Sequence, residues 1–308
     1  MTKDSDLKEL HRARRRYQRK REHLCVCRSM FRQYSEQNGF PKIVGMYTSP
    51  HVQHVRDRIR VNLDDISEED FVSSFTDVWD KLPQIPTPEL DTPEILALLF
   101  LIALNHFVKI KADVVICEAH HGREYDATNA VPHTAVSVIT SISNDHEELL
   151  AWHKGGIFKE NTPAFAVLPP VDSVRKVLVE RAAEKKTVLD FVPVTEHAIL
   201  GVERTAAQRE NFILARAAFL AWLGRHGEVD NDGLQKLSTS GLQPQWSQKF
   251  RELTAGRFQE LEDQVDPHVR WFIDGAHNEG GVDYGIRWYM ERAKNGTSVC
   301  EAQSQLLF

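Results

Sequence analysis

Short apolar segments alternate with longer helical segments along most of this chain, and this alternation limits the possible fold more than any other feature. The segments that predict strands lie at 42–47, 113–117, 135–142, 164–168, 188–194 and 269–273. The segments that predict helices lie at 92–108, 171–184, 205–223 and 282–293. The first of these helices opens on Thr92, a capping residue, and on Pro93, which suits the first helical position. The order of elements predicts an α/β fold with a central parallel sheet flanked by helices.

The first 38 residues differ from the rest of the chain. Residues 11–23 form a dense basic run, and residues 5–36 contain neither Gly nor Pro. This segment predicts a basic helical leader, for which a solvated helix, a targeting address and a phosphate-binding arm are the alternatives. Over the whole chain Asp plus Glu (44) outnumber Lys plus Arg (38), and a net charge of −6 argues against a general nucleic-acid binder.

The longest apolar run and the cysteines indicate the compartment class. The run Ile95–Leu104 has ten residues, whereas a membrane span needs about 20. We therefore expect a buried helix there and no membrane span. The four cysteines form no Cys-x-x-Cys pair, which favours a reduced, intracellular protein.

Polar clusters follow three of the predicted strands. Glu118 follows the strand at 113–117, Asp145 and His146 follow the strand at 135–142, and the segment 274–278 follows the strand at 269–273. Ligands of open parallel sheets bind beyond the carboxyl ends of strands. Glu118 and His146 could share a divalent metal: a carboxylate suits magnesium, while an imidazole more often indicates zinc or manganese. Three further histidines are additional candidates for this site, with surface or supporting groups as the favoured alternative, namely His120, His121 and His133.

The order and spacing of several motifs, from about residue 25 to residue 290, resemble a known family. The motifs are Thr-Ser-Pro-His (48–51), Arg-x-Arg-Ile (56–59), Glu-Ala-His-His-Gly-Arg-Glu-Tyr-Asp-Ala-Thr-Asn (118–129), Asn-Asp-His (144–146), Ala-Trp-His-Lys (151–154), Gly-Arg (256–257) and Asp-Gly-Ala-His-Asn (274–278). The chain resembles folylpolyglutamate synthases of the Mur-ligase superfamily, and the motifs at 118–129 and 151–154 look like those of fungal members. The resemblance implies a Mur-ligase-like fold and an ATP-dependent amide ligase. Such an enzyme forms an acyl phosphate on the γ-carboxylate of a folate, which the amine of L-glutamate then attacks.

The resemblance also implies roles for individual residues. Ser49, Glu118 and His146 match the magnesium ligands of the family. Lys154 matches a lysine that members carry as a carbamate, and His277 is a second catalytic candidate. The remaining candidates would contact ATP: Arg257 for a phosphate, Asp274 for a ribose hydroxyl, and Asn211 as a supporting group, with an ordinary helix-surface Asn as its alternative.

Further expectations concern the substrates, the metal ions, the oligomeric state and the compartment. The substrates would be tetrahydrofolate and its polyglutamates, L-glutamate and ATP, with Mg²⁺ as the metal and K⁺ as an activating monovalent cation. The chain would act as a monomer in the cytoplasm, with the mitochondrion as a second compartment. No nucleic acid is expected as a partner.

The chain departs from the family pattern at three places. Members have a glycine-rich phosphate loop where this chain has the segment 17–24, and the first glycine here is Gly39. The segment between His146 and Lys154 is shorter than in members. Only 34 residues follow Asp274 (308 − 274), so we expect residues 263–308 to be a fragment of a C-terminal ligase domain. The expected division is therefore a leader (1–38), a Mur-ligase-like ATPase domain (39–262) and that fragment.

These departures leave several hypotheses open. The first is a folylpolyglutamate synthase. The alternatives are a catalytically impaired remnant that binds folate without turnover, and a dihydrofolate synthase, which adds the first glutamate to dihydropteroate. A basic-helix interaction protein is a further hypothesis. A gene model with misplaced exon ends would account for the missing loop and the short C-terminal part together.

Overall fold

A computed structural model of the chain divides it into two compact units. One is Arg19–Leu253, and the other combines Met1–Gln18 with Thr254–Phe308. The residues that the structure describes are 18–51, 54–62, 64–82, 94–120, 124–140, 142, 147–193, 206–226, 259–262, 270–273, 286–287 and 289–290. The domain bounds expected from the sequence stay a prediction.

The first sheet of the larger unit has four strands in the order β3-β2-β1-β4. They are β1 (Val44–Tyr47), β2 (Ile59–Val61), β3 (Asp64–Asp65) and β4 (Val114–Cys117). β1 and β4 run parallel, as the sequence predicts, with Tyr47 opposite Cys117. β2 and β3 pair antiparallel, and the sequence pattern missed them because β2 has only three residues and β3 consists of two aspartates. Their ladder is reinforced at the edge by an ion pair between Arg60 and Asp65, at 2.7 Å.

Two helices form an apolar cluster with this sheet. They are α2 (Glu68–Trp79) and α3 (Ile95–Lys109). α3 confirms that the long apolar run is a buried helix; Thr92 and Pro93, expected to begin it, lie outside the described residues. Its close approach to β1 requires Gly45, since a Cβ there would lie 2.8 Å from the Phe107 ring. α2 was not predicted, because its β-branched and hydroxyl residues lower helix propensity; it begins where the Ser67 hydroxyl accepts from the Asp70 N–H at 3.0 Å.

The second sheet has three parallel strands in the order β5-β6-β7. They are β5 (Ser137–Ile139), β6 (Pro163–Val167) and β7 (Val188–Val192), and each overlaps a predicted strand. α4 (Glu147–Gly155) follows β5, and α5 (Asp172–Glu184) connects β6 with β7. Buried residues of both helices form a cluster with the sheet, among them Ala151 and Leu178.

The first and last helices of the larger unit share one core. α1 (Gln18–Asn38) and α6 (Ala206–His226) pack against each other and against β1 and β4. The α1 residues in this core are Leu24, Val26, Cys27, Met30, Phe31 and Tyr34. Phe31 meets Phe219 and Trp222 edge to face, with ring centroids 5.0 and 4.9 Å apart. The second half of the expected leader is therefore core and not a solvated helix, whereas residues 1–17 lie outside the described part.

The described part of the smaller unit is mainly an antiparallel pair of strands. β8 (Gln259–Glu262) pairs with β9 (Arg270–Ile273), which confirms the strand predicted at 269–273. Of the helix predicted at 282–293, only 286–287 and 289–290 are described, and they are helical. Across the described residues, no helix combines the length and the apolar character needed to cross a membrane.

Candidate active site

Two predicted metal ligands meet where the neighbouring parallel strands β1 and β4 end. Glu118 directly follows β4, and its N–H donates to the carbonyl of Tyr47 at 2.9 Å, which extends the parallel ladder. Ser49 lies two residues beyond β1, and its N–H donates to Glu118 Oε2 at 2.9 Å. Both residues are buried, at 4% and 3% exposure. The rule that polar groups gather at the carboxyl ends of parallel strands is thus confirmed for this pair.

A buried arginine, Arg58, joins this pair from the position directly before β2. Arg58 Nη1 donates to Ser49 Oγ at 2.9 Å, and Arg58 Nε donates to His51 Nδ1 at 3.1 Å. The planar guanidinium thereby fixes the hydroxyl and the imidazole with one group, which a lysine could not do in this geometry. Arg58 belongs to the Arg-x-Arg-Ile motif at 56–59. The sequence therefore pointed to this residue, but the motif alone does not predict its hydrogen bonds with Ser49 and His51.

The oxygen atoms at this point suit a hard divalent cation. Magnesium prefers carboxylate and hydroxyl oxygens, and Glu118 and Ser49 supply one of each. The third predicted ligand, His146, lies outside the described residues. Within the described part of the chain, no three His, Cys, Asp or Glu side chains are grouped closely enough to hold a metal by themselves. The donor pair therefore fits magnesium as two of its ligands.

A chain of buried hydrogen bonds lies beside Glu118. The Tyr47 hydroxyl is 2.9 Å from His120 Nε2, and His120 Nδ1 is 3.2 Å from Asp126 Oδ1. That carboxylate oxygen also accepts from the Thr128 N–H at 2.9 Å. Burial raises the pKa of Tyr47; burial also acts to raise the pKa of Asp126, but its hydrogen bonds from His120 and Thr128 hold that pKa well below its usual range. His120 is 2% exposed, so the surface alternative is wrong for it, while a supporting role beside Glu118 stays a prediction.

The second half of the 118–129 motif packs against the end of α4. Asn129 Nδ2 donates to the carbonyls of Glu124, at 2.7 Å, and Gly156, at 3.0 Å. Lys159 Nζ donates to the Asn129 carbonyl at 2.8 Å. A Cβ on Gly156 would lie 2.8 Å from Glu124 Cα, so only glycine allows this approach. Lys154, the predicted carbamate position, lies in α4 two residues before this contact and is half-buried.

The predicted nucleotide contacts fall mostly outside the described residues. The residues outside the described part are Arg257, Asp274 and His277, and the predicted metal ligand His146 lies outside it as well. Asn211 is described, and it lies in α6 with 7% exposure. The alternative of an ordinary helix-surface Asn is therefore wrong, while a role in nucleotide binding stays a prediction.

The segment where the family has its phosphate loop is helical in this chain. α1 begins at Gln18 and continues without a break to Asn38. In a phosphate loop, successive backbone N–H groups point inward to phosphate oxygens. Within a helix beyond its first turn, those N–H groups donate to carbonyls four residues earlier. The expectation that this segment is a helix and not a glycine loop is thus confirmed from residue 18 onward.

Curated relatives align with most of this chain. A folylpolyglutamate synthase of Neurospora crassa is 33% identical over 291 residues, which are 88% of this chain and 53% of the relative. The same enzyme of Saccharomyces cerevisiae is 34% identical over 278 residues, 82% of this chain and 48% of the relative. The chain spans about half the length of the curated relatives it matches. No family model matches the chain.

Solved structures with the same fold come from the same group of enzymes. Mycobacterium tuberculosis folylpolyglutamate synthase, complexed with ADP and AMPPCP, superposes with a TM-score of 0.66 at 20% identity, over 88% of this chain and 64% of that one. A bifunctional folylpolyglutamate synthase/dihydrofolate synthase of Yersinia pestis, complexed with AMPPNP and a Mn ion, gives 0.64 at 22% identity, over 89% and 64%. At these identities the likeness shows the fold, and it confirms the Mur-ligase-like α/β architecture.

Proposed function

We propose that this homologue of folylpolyglutamate synthases is an ATP-dependent ligase that adds L-glutamate to the γ-carboxylate of tetrahydrofolate and its polyglutamates. The observation that carries the proposal is the buried pair of Ser49 and Glu118 at the carboxyl ends of neighbouring parallel strands, where the Ser49 backbone N–H donates to Glu118 Oε2 at 2.9 Å. A nucleotide-bound magnesium ion takes one or two carboxylates from the protein and the rest of its oxygen ligands from phosphates, water and hydroxyls.

In the proposed reaction the folate carboxylate takes the γ-phosphoryl group of ATP, which gives an acyl phosphate and ADP. The amine of L-glutamate then attacks the acyl carbon, the amide forms, and phosphate leaves. A magnesium ion bound at this site would neutralise the phosphate charge that develops during transfer. Ser49, Glu118 and His146 would hold it, and Arg58 would keep the Ser49 hydroxyl in place through its 2.9 Å bond.

The other predicted residues keep the roles that the resemblance implies for them. Lys154 acts either as a carbamate, which adds an anionic group near the metal, or as a cation that faces phosphate. Arg257 holds a phosphate, Asp274 holds a ribose hydroxyl, and Asn211 supports the nucleotide. His277, in the motif of Asp274, is the further catalytic candidate.

The test is glutamate addition by the purified chain. The chain is incubated with ATP, Mg²⁺, L-glutamate and tetrahydrofolate, and mass spectrometry follows products that are longer by one glutamate residue. The matched control is Glu118→Gln, which keeps the size of the side chain and removes the charge that a metal ligand needs. If a full-length relative extends the folate under the same conditions and this chain does not, the proposed activity is refuted.

A second candidate is a protein that binds folate or nucleotide without turnover, and the helical course of α1 from Gln18 favours it. Without the inward-pointing N–H groups of a phosphate loop, the β- and γ-phosphates add little binding energy, so ATP should bind little more tightly than AMP. Calorimetry should then give similar affinities for ATP and AMP, together with folate binding and no product. A strong preference for ATP would speak against this candidate.

The likeness to a bifunctional enzyme favours one further comparison of substrates. A dihydrofolate synthase would add glutamate to dihydropteroate, which bears none, whereas a folylpolyglutamate synthase extends a folate that already carries one. Parallel assays with both substrates separate the two.

Activation by K⁺, a monomeric state and a cytoplasmic or mitochondrial location belong to the same proposal. A K⁺ titration, light scattering and localisation of the tagged chain test them in turn.

A further inference from the structure

A buried arginine in α5 connects three elements around the candidate site. Arg181 Nη2 donates to Glu124 Oε2 at 2.7 Å, and Nη1 pairs with Glu184 of the same helix. Its guanidinium carbon lies 4.4 Å from the centre of the Trp152 ring in α4. The arginine side chain is only 3% exposed, while its partners Glu124, Glu184 and Trp152 are partly exposed. Removing a partner from a buried charge is costly, so the position of this guanidinium is closely constrained.

The contacts of Arg181 reach the predicted catalytic lysine along α4. Trp152 precedes Lys154 by two residues, and Gly155 follows it. A Cβ on Gly155 would lie 2.8 Å from Arg181 Cβ, so α4 and α5 touch directly at this point. The position of Lys154 is thereby tied to the arginine on both sides.

The contacts of Arg181 also lead back to the predicted metal ligand. Glu124 lies in the middle of the 118–129 motif. Arg181 pairs with one of its carboxylate oxygens, and Lys185 pairs with the other. Two residues on, Asp126 is bound to His120, 3.2 Å away. His120 in turn lies two residues after Glu118. Contacts of Glu124, Asp126 and His120 therefore connect the arginine with the position of Glu118.

We propose that Arg181 is a positioning residue that sets the location of Glu118 relative to Lys154. The inference rests on the proposed function, because it assigns a purpose to the spacing of these two groups. A lysine at 181 could keep the ion pair with Glu124 but has no planar group to lie on Trp152 while it binds two carboxylates. The pairing with Glu124 thus holds the 124–129 part of the motif, and the contact with the Trp152 ring holds α4.

The experiment measures Mn²⁺ binding to the full chain by electron paramagnetic resonance, so it does not depend on turnover. Arg181→Gln and Glu124→Gln are each expected to raise the Kd for Mn²⁺ about tenfold, the size typical of residues that orient metal ligands. The double variant should add little to either one, because the two residues act through one contact. Arg181→Lys should fall between Arg181→Gln and the unaltered chain.

Two controls separate positioning from general loss of stability. Leu178→Ala, in the fully buried part of α5, destabilises the same helix without touching the loop. Arg175→Gln removes the exposed ion pair with Asp172 on that helix, at 2.8 Å. Both should bind Mn²⁺ within twofold of the unaltered chain at a temperature where all variants are folded.

Each result decides the inference. Folded Arg181→Gln and Glu124→Gln variants with unaltered Mn²⁺ affinity would overturn it, and so would an equal loss in Leu178→Ala. If Arg181→Gln does not fold, Glu124→Gln decides alone. A failure of the proposed function looks different: the unaltered chain then binds Mn²⁺ but adds no glutamate to folate. If the unaltered chain binds no Mn²⁺ at all, both proposals are overturned.

Discussion

Replacement of Phe31 by alanine tests whether α1 belongs to the core of the larger unit. The Phe31 side chain is 3% exposed and meets the rings of Phe219 and Trp222 at 5.0 and 4.9 Å. Truncation of a buried phenylalanine costs about 3–5 kcal/mol, which already includes most of the loss of its aromatic pairs. Domains of this kind are stable by about 5–15 kcal/mol, so Phe31→Ala should remove a large part of the free energy of unfolding.

The assay is urea unfolding followed by tryptophan fluorescence, since Trp222 lies in the same cluster. Phe31→Leu keeps most of the volume and should cost about 1.5 kcal/mol or less. Gln37→Ala, on the exposed end of α1, should stay within about 0.5 kcal/mol of the unaltered chain. A loss below about 1 kcal/mol for Phe31→Ala would refute the packing and restore the hypothesis of a detachable leader.

Three further predictions concern the site. Gly156→Ala should lower the free energy of unfolding by about 1–3 kcal/mol in urea titrations, because its Cβ would lie 2.8 Å from the Glu124 backbone, and an unaltered midpoint would contradict that contact. Glu118→Gln should weaken Mn²⁺ binding at least tenfold by paramagnetic resonance, since a neutral amide is a poor substitute for a carboxylate ligand. Hydrogen bonding from Lys185 lowers the pKa of Glu124 in the folded chain below its ordinary value of 4.5. The ionised carboxylate therefore stabilises the fold above pH 4.5, and this stabilisation is lost as the pH falls through the lower folded-state pKa. Urea titrations should therefore show that Glu124→Gln reduces stability at pH 7 more than at pH 3, and an equal reduction at both would contradict the ion pair.

The strand ends of the site could be predicted from the sequence, and the contacts between them could not. Strand β4 follows an apolar run, so Glu118 was expected at its carboxyl end, whereas Ser49 was a candidate only because its motif resembles that of the family. The roles of Arg58 and His120 depend on contacts that no local pattern contains. One partner of His120 is Tyr47, 73 residues away in the sequence, and Arg58 reaches Ser49 because β2, which begins at the next residue, returns antiparallel beside β1.

The packing of α1 shows how one strong signal can conceal another. Its core residues Leu24, Cys27, Phe31 and Tyr34 recur with the three- and four-residue spacing of a buried helix face. The dense basic run that overlaps the start of this helix indicated a solvated segment, and the apolar face was overlooked. Charge composition averaged over 38 residues thus hid a periodicity that begins at residue 24.

The two halves of the candidate site depend on different parts of the backbone, and this separates metal binding from phosphate binding. Ser49 and Glu118 are held by the β1–β4 ladder and by Arg58, none of which involves the segment before α1. A phosphate cradle requires backbone N–H groups that are not already bonded, and in α1 beyond its first turn they are committed to the helix. The metal half can therefore be complete in a chain whose phosphate half is not. For that reason Mn²⁺ affinity, and not turnover, is the measurement that reports on Ser49 and Glu118 independently of the phosphate half.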